Sequence, residues 1–175
     1  MIQPPVYGPF SWLVTRNDRI LVTNPLKMVD GMYRMDLEAF RREIKGCKVF
    51  ILCNPHNPGG IVWKEEELLE IAEICYEEEV LVFSDEIHAD ILITKTYTPT
   101  LTVKDADKAK IITCIAPTKT FNIAGIHAAM MVVPNKELFT ALEADAQAHG
   151  QLGLNIFACT TVEAVYTKGA PWLDE

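Results

Sequence analysis

The chain has 175 residues, of which 49% are hydrophobic and 23% are charged, with a formal net charge of -8. This composition predicts a folded domain with a sizeable core and argues against a largely disordered chain. The acidic balance also argues against binding to nucleic acid, whose phosphates attract basic surfaces. We therefore expect a small molecule or another protein as the partner.

The cysteines indicate a reducing compartment. They are odd in number, widely spaced and without a C-x-x-C pair, so we expect reduced core residues in a cytoplasmic protein. No leader sequence and no apolar run of membrane-spanning length is visible, so no membrane partner is expected, and we expect no metal site. The cysteines are Cys47, Cys53, Cys75, Cys114 and Cys159.

The first half of the chain predicts two helices and two strands. A helix is expected around Trp12 and Leu13, followed by a short strand over 20–22. Asp36 is predicted to cap a helix over 37–45. An almost uninterrupted apolar run over 48–53 follows, which is typical of a strand buried on both faces of a parallel sheet.

The second half repeats the alternation. We expect a helix over 65–79, a strand over 80–84, a strand over 111–115, a strand over 128–133, a helix capped by Asn135 and a helix over 155–168 that ends at Gly169. Alternating strands and helices predict an α/β fold with a mostly parallel sheet, in which the carboxyl ends of the strands share one edge.

Both ends of the chain suggest a fragment. The first residues follow no helix or strand that could complete the sheet, and residues 170–175 resemble the opening of another helix. We expect a domain truncated at both ends, and a naturally short protein is the alternative.

Reactive side chains follow the predicted strands. Lys119 lies just after the third apolar run, Asp85 and His88 after the second, and Asn57 after the first. Ligands bind at this edge of open α/β sheets, and a partly desolvated lysine amine forms Schiff bases. Such a set suits pyridoxal 5'-phosphate (PLP), which needs an amine for its aldehyde and a carboxylate for its ring nitrogen. The ring of Tyr7 could cover the cofactor face.

Each residue taken alone has a simpler interpretation. Asp85 could only cap the turn that follows it, and Asn57 with Pro58 and Gly59 could only form a turn. His88 could be a hydrogen-bonded histidine without a role in a site, Tyr7 a packing aromatic and Lys119 a solvated loop residue. The coincidence at the strand ends favours a site.

Three segments resemble the signature blocks of class I/II PLP-dependent aminotransferases. They are Asn57-Pro58-Gly59-Gly60, Ser84-Asp85-Glu86-Ile87-His88-Ala89-Asp90 and Ala116-Pro117-Thr118-Lys119-Thr120-Phe121-Asn122-Ile123-Ala124-Gly125. The longer block that begins at Cys53 resembles, more narrowly, the cystathionine β-lyase or C-S lyase branch. The resemblance covers residues 7–173 and implies a three-layer α/β fold, namely the large domain of the aspartate aminotransferase-like fold.

The resemblance also implies residue roles. Lys119 would be the Schiff-base lysine, Asp85 the partner of the pyridine nitrogen, Asn57 the partner of the phenolic oxygen O3' and Tyr7 the ring that stacks on the cofactor. His88 stands where many aminotransferases carry a tyrosine, and this branch often has histidine there.

Two positions depart from the family pattern. Ala116 stands where many relatives have a phosphate-binding serine, which leaves Thr118 as the phosphate contact in this loop, and His127 stands where many have a phosphate-binding arginine. The phosphate loop and a partner-subunit tyrosine would precede Met1, and a small domain would follow Glu175. Residues 1–175 would then form a single, partial large domain.

The resemblance implies α,β-elimination from cystathionine, cystine or cysteine conjugates, with pyruvate, ammonia and a thiol as products, by a homodimer in the full-length enzyme. Transamination is the nearest alternative. A non-catalytic module that keeps only the fold is a second alternative. A nucleotide-binding domain that uses Asn57 to Gly60 as a phosphate loop is a third, although G-x-G-x-x-G and G-x-x-x-x-G-K-[ST] are both missing.

Overall fold

A computed structural model describes residues 1–93, 96–104, 106, 110–151 and 153–175. The strands are β1 (Lys27–Val29), β2 (Met32–Arg34), β3 (Val49–Cys53), β4 (Leu81–Asp85), β5 (Ile111–Ile115) and β6 (Met130–Val132). The helices are α1 (Pro9–Arg16), α2 (Leu37–Glu43), α3 (Glu65–Glu77), α4 (Pro117–Thr120), α5 (Lys136–Ala148), α6 (Ile156–Lys168) and α7 (Ala170–Leu173).

The main sheet has the strand order β3-β4-β5-β6. β3, β4 and β5 are parallel, and β6 is antiparallel to β5. The predicted mostly parallel α/β sheet is therefore confirmed. The three parallel strands end at the same edge, because Cys53 is in register with Asp85 and Asp85 with Cys114.

Helices cover the sheet on both faces, as the side chains of β3 show. Phe50 and Leu52 point into the main core, which contains residues of α2 and α3. Ile51 and Cys53 contact a smaller cluster that contains Phe10 of α1. Because successive side chains of a strand point to opposite faces, the two clusters lie on opposite sides of the sheet and the fold has three layers.

Large apolar side chains fill the main core. Phe40 of α2 meets Phe50 of β3 edge to face, with ring centroids 4.9 Å apart, and both are fully buried. Leu68 and Ile71 are also buried on one face of α3, at the helical spacing that the sequence indicates. Burial of each such side chain contributes about 1.5–3 kcal/mol to folding.

The predicted strand over 20–22 is wrong. Thr23 forms only an isolated parallel bridge with Ile2, and the same amino-terminal segment accepts a hydrogen bond from Ile51 of β3 through the Met1 carbonyl. A short apolar run does not by itself predict a strand, because a segment distant in sequence decides whether it pairs.

The β1–β2 hairpin was not predicted, although its turn carries a recognisable signal. Asp30 and Gly31 join the two strands with φ angles of 50° and 75°. Asp-Gly is favoured in such two-residue turns because both positions need positive φ. The strands themselves are short and largely exposed, so they lack the apolar run that marks β3.

The other elements differ from expectation mainly at their ends. α2 and α3 end two residues earlier than predicted, and β6 covers only the middle of the predicted strand over 128–133. Asn135 caps α5 by accepting a 2.9 Å hydrogen bond from the Leu138 amide, and Gly169 follows α6 as expected. In the part of the chain that the structure describes, no helix is long and apolar enough to cross a membrane.

Candidate active site

The carboxyl edge of the parallel strands gathers the predicted site residues around one cavity of about 100 Å³. The residues that line it are Tyr7, Cys53, Asn57, Asp85, Ile87, His88 and Lys119. They come from the segments that follow β3, β4 and β5 and from the segment before α1. Five of the six predicted site residues therefore lie together, although the chain separates Tyr7 from Lys119 by more than a hundred positions.

Asp85 is the acid of this cavity and is partly buried. Burial raises the pKa of the Asp85 carboxyl above its ordinary value, and Glu86 acts in the same direction. The amide of Ile87, which donates a 3.1 Å hydrogen bond to Oδ1, and the nearby His88 oppose this rise. Asp85 thus caps the following turn, as the simpler interpretation suggested, and also lines the cavity.

Cys53 and His56 hold the loop that carries Asn57. The Asn57 amide donates to Cys53 Sγ at 3.3 Å, and the Gly59 amide donates to His56 Nδ1 at 3.2 Å. The Trp63 indole packs edge to face on His56 and donates a 2.9 Å hydrogen bond to the Cys53 carbonyl. The loop is therefore a turn, and the turn brings Asn57 to the cavity.

Gly59 is required by this close packing. A Cβ atom at Gly59 would lie 2.7 Å from His56 Nδ1, which is shorter than real Cβ contacts. The glycine pair in the sequence therefore has a local packing reason at its first position. His56 itself is buried, and burial lowers its pKa, so the ring is neutral at physiological pH.

Lys119 is the third residue of the short helix α4, which Pro117 begins. The side chain of Lys119 is exposed, so the described residues do not supply the desolvation that we expected from the sequence. Its neighbours Thr118 and Thr120 are buried at 8% and 4% exposure. The helix is thus anchored by buried neighbours, while Lys119 lines the cavity.

Thr118 differs from the other predicted residues. It is not among the residues that line the cavity, and its carbonyl accepts a hydrogen bond from the Ile123 amide. His127 also lies outside the lining and adopts a left-handed conformation, with φ of 55°, after the turn over 124–126. Neither position therefore tests the assignment of a phosphate contact.

Tyr7 also lines the cavity. Its ring is 47% exposed and meets Phe10 of α1 edge to face at a centroid distance of 5.6 Å. The contact packs the ring of this lining residue against α1.

Comparison with known proteins identifies the family. Residues 1–152 match the family model described as aminotransferase class I and II. The chain belongs to this family. It is 44% identical over 178 residues to cystathionine beta-lyase PatB from Bacillus subtilis strain 168, which it matches over its whole length and over 46% of that protein.

Solved structures of PLP-containing proteins share the fold. Cystalysin from Treponema denticola, whose crystal structure contains a pyridoxal 5'-phosphate cofactor, aligns with a TM-score of 0.93 and 31% identity over 99% of this chain. The PLP-bound C-S lyase from Staphylococcus hominis aligns with a TM-score of 0.89 and 35% identity over 99% of this chain. The alignments cover 45% and 44% of those chains, so this chain spans about half the length of its relatives.

Two cavity residues were missed by the sequence analysis. Cys53 ends β3 and was predicted as a core cysteine at the start of a family block, and Ile87 was quoted only as part of another block; neither was predicted to line a site. Cys53 lies beside Asp85 in the sheet register, so the position of the strand end is the signal that could have found it.

A second cavity adjoins the first one in this aminotransferase-family chain. It has a volume of about 320 Å³ and shares Asn57 and His88 with the first. Most of its remaining lining is apolar, including Val62, Ile91 and Leu92.

Proposed function

We propose that this chain is part of a PLP-dependent enzyme that cleaves the C-S bond of cystathionine or related cysteine conjugates and releases pyruvate, ammonia and a thiol. The observation that carries the proposal is the convergence of an amine, a partly buried carboxylate, an amide and an imidazole on one cavity, from Lys119, Asp85, Asn57 and His88. The similarity of the chain to a cystathionine beta-lyase and to a C-S lyase supports the reaction class.

The chemistry of these side chains fits PLP. Burial disfavours the ionised Asp85 carboxylate, and a protonated ring nitrogen is the kind of cation that would compensate for that burial. Asn57 and His88 can donate hydrogen bonds to a phenolate oxygen, and the Tyr7 ring can cover a flat heterocycle. Thr118 remains the proposed phosphate contact in the Lys119 loop.

The proposed roles follow from what each group can do. When bound, PLP draws electrons from the substrate carbon that carries the amino group. Lys119 would hold the cofactor through its aldehyde and, once the substrate amine replaces it, would take the proton from that carbon. Asp85 would keep the ring nitrogen protonated. The electron pair left by the proton forms a carbon-carbon double bond as the thiolate leaves the β-carbon.

Transamination is the second candidate, and the family description favours it. The two reactions share proton removal by Lys119 and differ in whether a β-substituent leaves. The apolar cavity beside Asn57 and His88 supports elimination, because it offers space for a group carried on sulfur. We also propose that residues 1–175 are a partial large domain and that the enzyme works as a homodimer.

The decisive experiment follows cofactor attachment. We expect the protein, mixed with PLP and freed of excess, to show a visible absorbance band that borohydride converts into a stable adduct on the Lys119 peptide. Lys119→Ala should lose the adduct, whereas Lys136→Ala, which changes an exposed lysine of α5, should keep it. The adduct is located by mass spectrometry of tryptic peptides.

Assays then separate the reactions. Elimination predicts pyruvate from cystathionine without an added oxo acid, whereas transamination predicts a product only when an oxo acid is supplied. A folded protein that bears the adduct on Lys119 and performs neither reaction would support a non-catalytic module. An adduct on another lysine would refute the assignment of Lys119.

A further inference from the structure

A closed ring of hydrogen bonds surrounds the main chain of Asp85. The Asn54 amide donates to the Asp85 carbonyl at 2.9 Å, and the Asn54 side chain donates to Thr100 Oγ1 at 3.3 Å. Thr100 Oγ1 is 2.8 Å from Ser84 Oγ, and Ser84 donates to Glu86 Oε1 at 2.9 Å. Ser84 and Glu86 flank Asp85 in the chain, so the ring closes on the peptide groups of the acid itself.

Glu86 connects most of this ring. Its side chain is 3% exposed, and Oε1 also accepts a 3.0 Å hydrogen bond from the Thr100 amide. The other oxygen accepts a hydrogen bond from the Tyr97 hydroxyl. A carboxylate is costly to bury unless hydrogen-bond donors surround it. The three donors to Glu86 offset that cost and fix the positions of the segments that carry them. Main-chain pairing of Glu86 with the Cys114 carbonyl adds a link to β5.

The ring lies on the opposite face of β4 from the cavity. Ser84 is in register with Leu52, which points into the main core, whereas Asp85 is in register with Cys53, which lines the cavity. Because side chains alternate along a strand, Ser84 points away from the site, and its hydrogen bond to Glu86 places that carboxylate on the same side. Glu86 therefore supports the site through the backbone, besides the effect of its charge, which adds to burial in raising the pKa of Asp85.

We propose that Glu86 is a positioning residue that sets the orientation of Asp85 and of the turn leading to His88. The proposal rests on the proposed function, because the benefit of a fixed Asp85 is a fixed contact to the cofactor ring. Misplacing a reacting or charge-stabilising group by even 1 Å lowers the rate of an enzyme, so a rigid support behind the acid has a catalytic consequence.

Two substitutions of Glu86 disrupt the ring of hydrogen bonds to different degrees. Glu86→Gln keeps the shape and an oxygen acceptor for Ser84 and Thr100. Glu86→Leu removes both carboxylate oxygens. The buried Thr100 amide and the partly buried Tyr97 hydroxyl then lose their acceptor, and Ser84 keeps only Thr100 Oγ1 as a partner. Tyr97→Phe removes a single donor and serves where the leucine variant fails to fold. Glu66→Gln, at an exposed position of α3, is the matched control.

The test uses the purified protein with and without PLP. In the PLP-free protein, we compare amide hydrogen exchange in the peptides that cover Asn54 and residues 84–88. The exchange rate should be lowest in the Glu66→Gln control, higher in Glu86→Gln and highest in Glu86→Leu. In the PLP-loaded protein, kcat for the reaction that the pyruvate and oxo-acid assays identify should fall about tenfold for Glu86→Leu and less for Glu86→Gln. KM should stay within about twofold of the wild type. Tyr97→Phe should resemble Glu86→Gln.

The outcomes separate this proposal from the one on which it rests. If the wild type binds PLP and turns over while all three variants keep the wild-type kcat and exchange rates, Glu86 has no positioning role. A parallel rise in KM and fall in stability without a change in kcat would also overturn it, because general loosening would explain both. A wild type that fails to bind PLP would instead refute the proposed function, and the exchange measurement would still show whether Glu86 holds Asp85.

Discussion

The Thr120 hydroxyl donates a 2.9 Å hydrogen bond to Asp90 Oδ2. This contact joins α4, which carries Lys119, to the segment that follows Asp85 and His88. The amine and the acid of the site therefore belong to two segments that are tied to each other directly, although the contacting residues are 30 positions apart in the chain.

Breaking this contact should weaken the hold on Lys119. Thr120 is 4% exposed, so we expect Thr120→Val to leave the shape of the core intact, to lower the free energy of unfolding by about 1 kcal/mol and to reduce the fraction of PLP retained. Thr120→Ser keeps the hydroxyl and should retain the cofactor. Chemical denaturation and absorbance after gel filtration measure the two effects, and equal retention by both variants would contradict the prediction.

Asp85 should cost the PLP-free protein stability at neutral pH. Partial burial raises the pKa of the Asp85 carboxyl in the folded state, so the folded protein binds this proton more tightly than the unfolded chain does. Stability contributed by the protonated form is therefore lost as pH rises from the ordinary value of 3.8 through the folded pKa.

Replacing Asp85 by a neutral residue tests whether its charge lowers the stability of the PLP-free protein. We expect Asp85→Asn to be more stable than the wild type at pH 7 without PLP, and this advantage should shrink as pH falls toward 3.8. Urea denaturation at several pH values measures it. The same variant should lose activity with PLP present, since an amide cannot hold a proton on the ring nitrogen. An Asn variant that is less stable at pH 7 would contradict the prediction.

Substituting Gly59 should displace the Asn57 loop. The added Cβ of Gly59→Ala would contact His56 Nδ1 at 2.7 Å, so the loop or the imidazole must shift. We expect lower stability and weaker PLP binding. Gly8→Ala is the control, because Gly8 has helical dihedral angles and no heavy atom within 4 Å of the added Cβ. Thermal unfolding and PLP titration compare the two, and similar behaviour would show that the loop tolerates the contact.

The thiols should differ sharply in reactivity. Burial raises the pKa of Cys53 to about 11 and the pKa values of Cys75 and Cys114 to about 12, so their reactive thiolate forms are scarce at pH 8. Cys159 is exposed, contrary to its expected place in the core. We expect iodoacetamide to label Cys159 in the native protein and to label the other three only after unfolding. Mass spectrometry locates the adducts, and native labelling of Cys75 would contradict the packing.

Much of the site could be predicted because its residues lie next to patterns that are visible in short stretches of sequence. β3, β4 and β5 are apolar runs with polar residues directly after them, and parallel strands bring those residues to one edge. The supporting contacts could not be predicted in this way. Glu86 meets Thr100 across 14 positions, and His56 accepts its hydrogen bond from the backbone amide of Gly59, which no side-chain pattern marks.

By itself, the sequence determined the α/β alternation, the three parallel strands and the set of polar residues at their ends, because periodic burial and strand-end chemistry are properties of short segments. The tertiary structure alone decided the strand order, the antiparallel β6, the exposure of Lys119, the position of Thr118 outside the cavity lining and the face on which Glu86 lies. The physical reason is that burial and hydrogen bonding of a side chain depend on neighbours from distant segments, which only the packed chain brings together.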